Sequence, residues 1–427
     1  MDITNEGTIE NGSHTAGGAM TITNHGKISD GSYKARESLC VYHAKDGTIS
    51  GGTFTGADTT LINQADLSGA KVEGTKTLTV TNTASIQNAT LTGGAAAVDN
   101  HGEDSVMKDV TLTGSAITLT NEGTVENGSY TAGDAMTVKN RGKLSSGTYT
   151  AKAGTMGITN RKTIENAAFT AGGALTYDGN ADSTVTETTM TGASVDITNA
   201  GTLTNGSYTA ETGAMTVKNS GTLSAGAYTA KAGTMGITNR KTIENAAFTA
   251  GGALTYDGNA DSTVTETTMT GVSVDITNAG TFTNGSYTAE TGAMTVKNSG
   301  KLSSGTYTAK AGTMDITNEG TIENGTYTAR GDLTYTDIAK SSLTDGTLIS
   351  EEGKAKITAH GVFRLKKLSA KDSATVEADH DVTLTEAEAG TLAISSGGSV
   401  KADTLTAKTG NASVTAKTDV KIDALKA

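Results

Sequence analysis

The stretch MTVKNRGKLSSGTYTA, residues 136–151, decides the fold of this chain. Met136 and Val138 alternate with polar residues, Leu144 stands alone between two turn signals, and Tyr149 lies two positions before an alanine. Alternation of period two over a few residues indicates a β-strand, whereas Asn-x-Gly and Ser-Gly indicate turns. The stretch therefore predicts three short strands that are separated by corners.

The same pattern returns at a period of roughly 20 residues, which is typical of a solenoid built from stacked copies of one unit. Met1–Gly12 recurs unchanged as Met314–Gly325, and the block 156–234 recurs as 235–313 with five substitutions. We therefore predict an all-β protein, a right-handed parallel β-helix with three short strands per coil. At about 20 residues per coil, the 427 residues make about 22 coils.

Two regions differ in how regular the repeat is. Residues 1–354 hold the regular repeats, including the near-identical blocks 156–234 and 235–313. Residues 355–427 lose the Asn-Gly-Tyr pattern but keep the alternation, which predicts divergent coils of the same solenoid and a terminal cap. A unique active site is not expected within a block that occurs twice.

Composition restricts the classes of function. Aromatic residues make up 4% of the chain, Trp and Pro are absent, and there are 54 glycines, so thin layers of small side chains must form the interior. The net charge of -12 disfavours nucleic acid as a partner, and no apolar run is long enough for direct membrane insertion. Because Met also opens several internal repeats, we expect a longer repeat array, with an export signal that is not visible here.

An asparagine recurs at the first corner of the coil. Asn tolerates left-handed backbone geometry, and stacked side-chain amides can bond to one another from coil to coil, so a structural ladder is predicted. The ladder residues are Asn5, Asn24, Asn82, Asn121, Asn140, Asn160, Asn199, Asn219, Asn239, Asn278, Asn298 and Asn318.

A column of aromatic residues marks the third strand. Leu and Met fill the same column in other coils, which favours an interior stack over the alternative, an exposed stripe that stacks on sugars. The column contains Tyr33, Phe54, Tyr130, Tyr149, Phe169, Tyr208, Tyr228, Phe248, Tyr287, Tyr307 and Tyr327.

Residues with catalytic or ligating chemistry are scattered. The six histidines show no metal-ligand spacing, and no phosphate loop, dinucleotide fingerprint or nucleophile elbow is present, so no metal, cofactor or catalytic residue is predicted. Paired carboxylates are the main enzymatic alternative, and three pairs qualify. These are Glu6 with Glu10, Asp178 with Asp182, and Asp257 with Asp261.

The units VKNRGKL, residues 138–144, and LAISSGGSVKA, residues 392–402, resemble the repeats of filamentous-haemagglutinin-like adhesins and autotransporter passengers. In those repeats a hydrophobic-x-hydrophobic-x-Asn-x-Gly-x-Leu unit builds a right-handed β-helix. The resemblance implies a secreted bacterial protein, extracellular or at the cell surface, in which the β-helix serves as a stalk. Neither the N-terminal secretion domain of that family nor a C-terminal membrane barrel is recognisable in the sequence.

The sequence thus predicts a non-catalytic surface or adhesin module that acts through many weak contacts. Its expected partners are host or bacterial surface glycans or proteins, with self-association through the end coils as a further contact. One alternative is a polysaccharide-binding or polysaccharide-degrading β-helix of the phage tail-spike type. The other is an ice- or surface-binding solenoid, although the Thr-x-Thr triplets at 79–81, 111–113, 118–120, 202–204 and 383–385 occupy different positions of the repeat.

Overall fold

The computed structural model describes residues 1–426 and is built from β-strands and corners, with no helix among those residues. The chain divides into two compact units, the first Met1–Glu211 and the second beginning at Thr212. Each unit is a parallel β-solenoid, and together they contain about 21 turns with roughly 20 residues in each. The predicted fold class is confirmed. Ala427, the last residue of the predicted 355–427 region, lies outside the described residues.

One coil shows how the sequence produces the three walls, which we call faces A, B and C. Face A is the strand Met136–Asn140, face B is Lys143–Ser145, and face C is Thr148–Ala151. Each strand pairs in parallel with its equivalent in the next coil, so that Val138 meets Ile158 and Tyr149 meets Phe169. Within each unit the coils are therefore hydrogen-bonded to their neighbours and have little internal pairing of their own.

The strands of the first unit follow this order of faces A, B and C. Face A contains Asp2–Asn5, Met20–Asn24, Ser38–His43, Met136–Asn140, Met156–Asn160, Leu175–Gly179 and Val195–Asn199. Face B contains Thr8–Glu10, Lys27–Ser29, Thr48–Ser50, Asp66–Ser68, Ser85–Gln87, Val106–Lys108, Thr124–Glu126, Lys143–Ser145, Thr163–Glu165, Thr184–Thr186 and Thr202–Thr204. Face C contains Ser13–Ala16, Ser32–Ala35, Ser129–Ala132, Thr148–Ala151, Ala168–Ala171, Thr189–Gly192 and Ser207–Ala210. Four long strands run from face C into the next face A: Thr53–Asn63, Lys71–Asn82, Thr90–Asn100 and Thr111–Asn121.

The second unit repeats the frame. Face A contains Met215–Asn219, Met235–Asn239, Leu254–Gly258, Val274–Asn278, Met294–Asn298, Met314–Asn318, Leu333–Asp337, Ala355–Ala359, Ser373–Ala378, Thr391–Ser396 and Ala412–Ala416. Face B contains Thr222–Ser224, Thr242–Glu244, Thr263–Thr265, Thr281–Thr283, Lys301–Ser303 and Thr321–Glu323. Face C contains Ala227–Ala230, Ala247–Ala250, Thr268–Gly271, Ser286–Ala289, Thr306–Ala309 and Thr326–Ala329. Five long strands join faces B and C: Ser342–Ser350, Val362–Ala370, Val382–Ala389, Val400–Ala407 and Val420–Lys426.

The long strands arise where a corner is shortened or lost. Two residues separate Gly56 from Thr59 at the C-to-A corner, compared with four between Ala151 and Met156, so the short corner stays within one continuous strand. In the regular coils a residue with positive φ, often followed by Gly, turns the chain from face B to face C. Val362–Ala370 has no such residue, and the strand continues around the bend.

The core consists of the inward positions of the three faces. Met136, Val138, Leu144, Tyr149 and the following alanine are each at most 1% exposed. Burying such aliphatic and aromatic side chains contributes about 1.5–3 kcal/mol each, and the contribution recurs in every coil. Within the described chain, no helix has the length and hydropathy of a membrane span.

Candidate functional site

The predicted asparagine ladder lies inside the solenoid, at the corner after face A. The Nδ2 of Asn121 donates to the Oδ1 of Asn140 at 2.9 Å, and Asn140 donates to Asn160 at 2.8 Å. Asn140 Nδ2 also donates to the backbone carbonyls of Gly142 and Thr163. These amides are at most 5% exposed and satisfy corner carbonyls, so they are structural and do not face a ligand.

The ladder asparagines do not adopt the left-handed backbone geometry that was predicted for them. In residues 1–426 the positive φ angles of non-glycine residues fall at the B-to-C corner, as at Asn127, Ser146 and Asn166, and not at the ladder positions. The ladder asparagines end face A strands and have extended backbone. Their residue type is required by the side-chain hydrogen bonds, whereas the left-handed corner accepts Asn, Asp, Ser, Glu and Ala.

Further residues belong to the ladder. Asn63 and Asn100 are buried in the same frame and donate to Asn82 and Asn121, respectively. His43 occupies the frame between Asn24 and Asn63, and its Nδ1 lies 2.6 Å from Asn63 Oδ1. Burial lowers the pKa of His43, opposed by its hydrogen bond to Asn63. The alternation that precedes each of these residues was the signal that could have identified them.

In one coil of each copy of the duplicated block, glycine occupies the ladder position: Gly179 in the first copy and Gly258 in the second. At Gly179 an added Cβ would collide with the Tyr177 hydroxyl, which therefore fills the space of the missing amide. Asn160 Nδ2 donates to this hydroxyl at 3.4 Å. Tyr256 and Gly258 repeat the arrangement below Asn239. The sequence Tyr-Asp-Gly thus continues the ladder by a different side chain, which the sequence reasoning did not identify.

The aromatic column also lies inside, against face C. Tyr130 and Tyr149 stack with ring centroids 4.9 Å apart, and Tyr307 and Tyr327 stack at 4.6 Å. All eleven residues of the predicted column are 0% exposed. The alternative of an exposed sugar-stacking stripe is therefore wrong for this column, because no ring face reaches solvent.

A surface groove of about 540 Å³ crosses face A in the second unit. Gly236 forms a low point in its floor, because it has no side chain between Thr216 and Thr255. Threonine hydroxyls line both sides, and the charged groups are Asp257, Asp275 and Lys297. The groove therefore offers hydrogen-bond donors and acceptors and no exposed aromatic ring.

The two carboxylates of the groove come from consecutive coils. Thr255 pairs with Asp275 and Asp257 pairs with Thr277, so the aspartates are diagonal neighbours on the outward side of face A. Strand geometry places their Cα atoms about 8 Å apart. Both side chains are exposed, and Asp257 forms an ion pair with Arg240 at 3.4 Å.

The first unit carries the same residues in the same register. Thr176 pairs with Asp196 and Asp178 pairs with Thr198, next to Gly157. Arg161 lies 3.0 Å from Asp178, as Arg240 lies beside Asp257. The duplication has therefore produced two copies of this carboxylate pair, one in each unit.

The carboxylate pairs that were predicted from sequence proximity differ from the pairs that lie side by side on face A. Asp182 and Asp261 lie in exposed turns, whereas Asp178 and Asp257 point outward from face A. Glu6 lies in an exposed turn and Glu10 at the exposed end of a face B strand. Among the described residues no group of three or more His, Cys, Asp or Glu side chains could hold a metal ion.

No protein-family model matches this chain, and no curated protein matches its sequence. The likeness to adhesin repeats thus remains one of period and pattern.

Proposed function

We propose that this chain is a non-catalytic binding module of a secreted bacterial surface protein, and that it attaches to surface glycans through face A. The observation that carries the proposal is the repetition of the aspartate pair, Asp178 with Asp196 and Asp257 with Asp275. Enzymes concentrate their chemistry in one site, whereas an adhesive module gains from equal sites on one chain because binding at one raises the effective concentration at the other.

The groove chemistry favours glycans over proteins as ligands. Carboxylates accept hydrogen bonds from sugar hydroxyls, and threonine hydroxyls donate and accept them. The groove has no apolar anchor of the kind that carries most of the binding energy in protein interfaces. Each site alone should bind weakly, which suits a module that works by repetition.

The test is binding of the full chain to a glycan array and to immobilised bacterial surface polysaccharides. Removing one pair, by Asp257→Asn with Asp275→Asn, should weaken the apparent affinity at least about tenfold, because avidity gains of about 10²–10⁴ require both sites. Removing all four aspartates should abolish binding. The control, Asp182→Asn with Asp261→Asn, removes two charges from exposed turns, as many as the single-pair variant loses, and should bind as the wild type does. Unchanged binding by the fourfold variant would contradict the proposal.

A second candidate function is polysaccharide hydrolysis, because Cα atoms about 8 Å apart allow the carboxyl groups of Asp257 and Asp275 to reach the separation of about 6.5–9.5 Å that inverting glycosidases use. Such an enzyme keeps one carboxyl protonated by burial, but both of these groups are exposed. Release of reducing ends from a bound polysaccharide, lost in Asp275→Asn, would favour this function over attachment.

A further inference from the structure

The outward side of face C carries an ordered array of hydroxyl groups that the proposed glycan site does not use. In the regular coils each inward aromatic or aliphatic residue of face C has one outward residue before it and one after it. In the first unit the later position is Thr in seven consecutive coils: Thr92, Thr113, Thr131, Thr150, Thr170, Thr191 and Thr209. The earlier position holds Thr90, Thr111, Ser129, Thr148, Ala168, Thr189 and Ser207.

The second unit carries the same array over six coils. Its later position is Thr229, Thr249, Thr270, Thr288, Thr308 and Thr328. Its earlier position is Ala227, Ala247, Thr268, Ser286, Thr306 and Thr326. These side chains are exposed or half-exposed, so both columns of each array reach solvent.

The register makes each array a two-dimensional grid. Consecutive coils pair residue for residue, so hydroxyls repeat at about 4.8 Å from coil to coil and at about 6.7 Å along each strand, except where the earlier position is Ala168, Ala227 or Ala247. In one pair of neighbouring coils, Thr113 Oγ1 donates to Thr92 Oγ1 at 3.3 Å, so these two hydroxyls are in register. The grid has two columns, and its length is set by the number of coils.

The in-register pairing of parallel strands also predicts a rigid and flat grid. Threonine is β-branched and stiff at χ1, so its hydroxyl and methyl groups keep fixed directions. Beneath the grid, inward rings of neighbouring coils stack on one another, as Tyr130, Tyr149 and Phe169 do at centroid distances of 4.9 and 4.6 Å. The surface therefore cannot adapt to an irregular partner.

The two arrays contain no charged residue, which distinguishes them from the other faces. Face A carries Lys139 and Asp178, and face B carries an ion pair of Lys143 with Glu165 at 2.6 Å. Along the axis, charges appear on face C before the first array, as at Glu73, and after the second, as at Lys367. Beside the arrays, the corner that follows face C carries exposed charges in some coils, such as Lys152 and Lys310, so the uncharged surface is limited to the two columns. In a chain with 18% charged residues, the exclusion of charge is specific to this surface.

We propose that the threonine arrays of face C bind ice. A partner for them must be uncharged, flat and periodic in two directions, and an ice surface has all three properties. Ice and solvent are the same substance, so affinity for ice has to come from the order of the water at the protein surface. Fixed hydroxyl and methyl groups hold this water in a lattice-like arrangement. Charged groups hold a hydration shell without that order. Since both surfaces are rigid, each coil adds contacts without a further ordering cost.

The five Thr-x-Thr triplets identified in the sequence did not reveal this surface. Of these five, only 111–113 lies in the face C frame, while 79–81 and 118–120 lie on face A, 202–204 lies on face B, and 383–385 begins at the end of face B. Further Thr-x-Thr triplets, which the sequence analysis did not single out, do lie in the face C frame: 90–92, 148–150, 189–191, 268–270, 306–308 and 326–328.

The test measures whether the full chain enters slowly growing ice and whether it separates the freezing and melting temperatures of the solution. Wild type is expected to do both. Thr150→Lys with Thr308→Lys places a flexible charge in the middle of each array and should reduce both signals to the level of serum albumin. The matched control, Thr159→Lys with Thr317→Lys, makes the same change at outward threonines of face A and should retain both signals.

Circular dichroism shows whether each variant is folded, so that loss of ice binding can be distinguished from unfolding. If the face C lysine variant loses its β-sheet signal, Thr150→Gln with Thr308→Gln replaces it, since a longer uncharged side chain also breaks the flat grid. Exclusion of the wild-type chain from ice, or an equal loss in the face A control, would overturn the proposal. Neither result depends on glycan binding, so the two proposals can fail separately.

Discussion

At the scale of single residues, the buried tyrosines explain the glycine that precedes them by two positions. A Cβ added to Gly285 would collide with the hydroxyl of Tyr287. Where the column residue is Phe169, the corresponding position is Ala167, and that alanine is accepted and buried. Glycine in Gly-Ser-Tyr is thus required by the tyrosine hydroxyl, whose place in the core leaves no room for a side chain.

We expect Tyr287→Phe to be neutral or to stabilise the protein by about 1 kcal/mol, because the hydroxyl of Tyr287 is buried without a hydrogen-bond partner. Gly285→Ala should destabilise it. The double variant reproduces the pairing of Ala167 with Phe169 and should lose less stability than Gly285→Ala alone. Thermal unfolding measures the three values, and strict additivity of the two single changes would contradict the explanation.

The burial of His43 predicts that the stability of the folded chain depends on pH through this residue. Burial lowers the pKa of His43 in the folded chain below its ordinary value of 6.5. Its contribution to stability is therefore complete above pH 6.5 and is lost as the pH falls through the lowered pKa, by up to about 1.4 kcal/mol per pH unit. His43→Asn, which restores a ladder residue, should flatten this dependence.

Chemical denaturation at several pH values measures the effect. His25→Asn, at an exposed histidine, is the control and should keep the wild-type slope. His360 affects the pH dependence of stability in the opposite direction, because its hydrogen bond to Asp379 raises its pKa. Since His360 is present in every variant, its effect does not alter the comparison. An unchanged slope in His43→Asn would show that the buried imidazole does not carry the effect.

At the scale of the structural element, the ladder joins each coil to the next. Asn298 accepts from Asn278 at 2.9 Å and donates to Asn318 at 2.9 Å, and its Nδ2 also donates to the carbonyls of Gly300 and Thr321. In the second unit the ladder ends where Asn318 donates to the hydroxyl of Tyr335. That hydroxyl in turn donates to the buried carboxylate of Asp337.

Asn298→Ala should cost about 3 kcal/mol, because it leaves buried amide and carbonyl groups of two coils without partners. Thr317→Ala, at an exposed outward position in the next coil, should change the free energy of unfolding by less than about 0.5 kcal/mol. Hydrogen exchange should show the loss of protection concentrated in the coils next to Asn298. A uniform loss along the chain would contradict a local role for the ladder.

At the scale of the whole molecule, the tyrosine columns determine the response to alkali. Burial raises the pKa of Tyr130, Tyr149, Tyr307 and Tyr327 above the ordinary value of 10.0. Their contribution to stability is present below pH 10 and is lost as the pH rises further, because the unfolded chain releases these protons first.

We therefore expect tyrosinate absorbance to appear together with the loss of β-sheet circular dichroism. Replacing Tyr307 and Tyr327 with Phe should move this transition to higher pH, since fewer buried hydroxyls then favour the unfolded chain. Replacing the half-exposed Tyr42 with Phe is the control and should leave the transition in place. Ionisation of the column tyrosines with the β-sheet signal intact would contradict their interior position.

The sequence by itself determined the period, the strand type and the inward residues, because alternation and corner residues act within a single coil. Alternation assigned Met136 and Val138 to the interior, the turn signals on both sides indicated Leu144, and Leu and Met in equivalent positions of other coils indicated Tyr149. Tertiary structure alone decided which outward residues of different coils become neighbours, such as Asp257 and Asp275. It also decided that serine and threonine align on face C. These alignments depend on the length of every corner between coils, and a difference of one or two residues at a corner leaves almost no trace in local sequence.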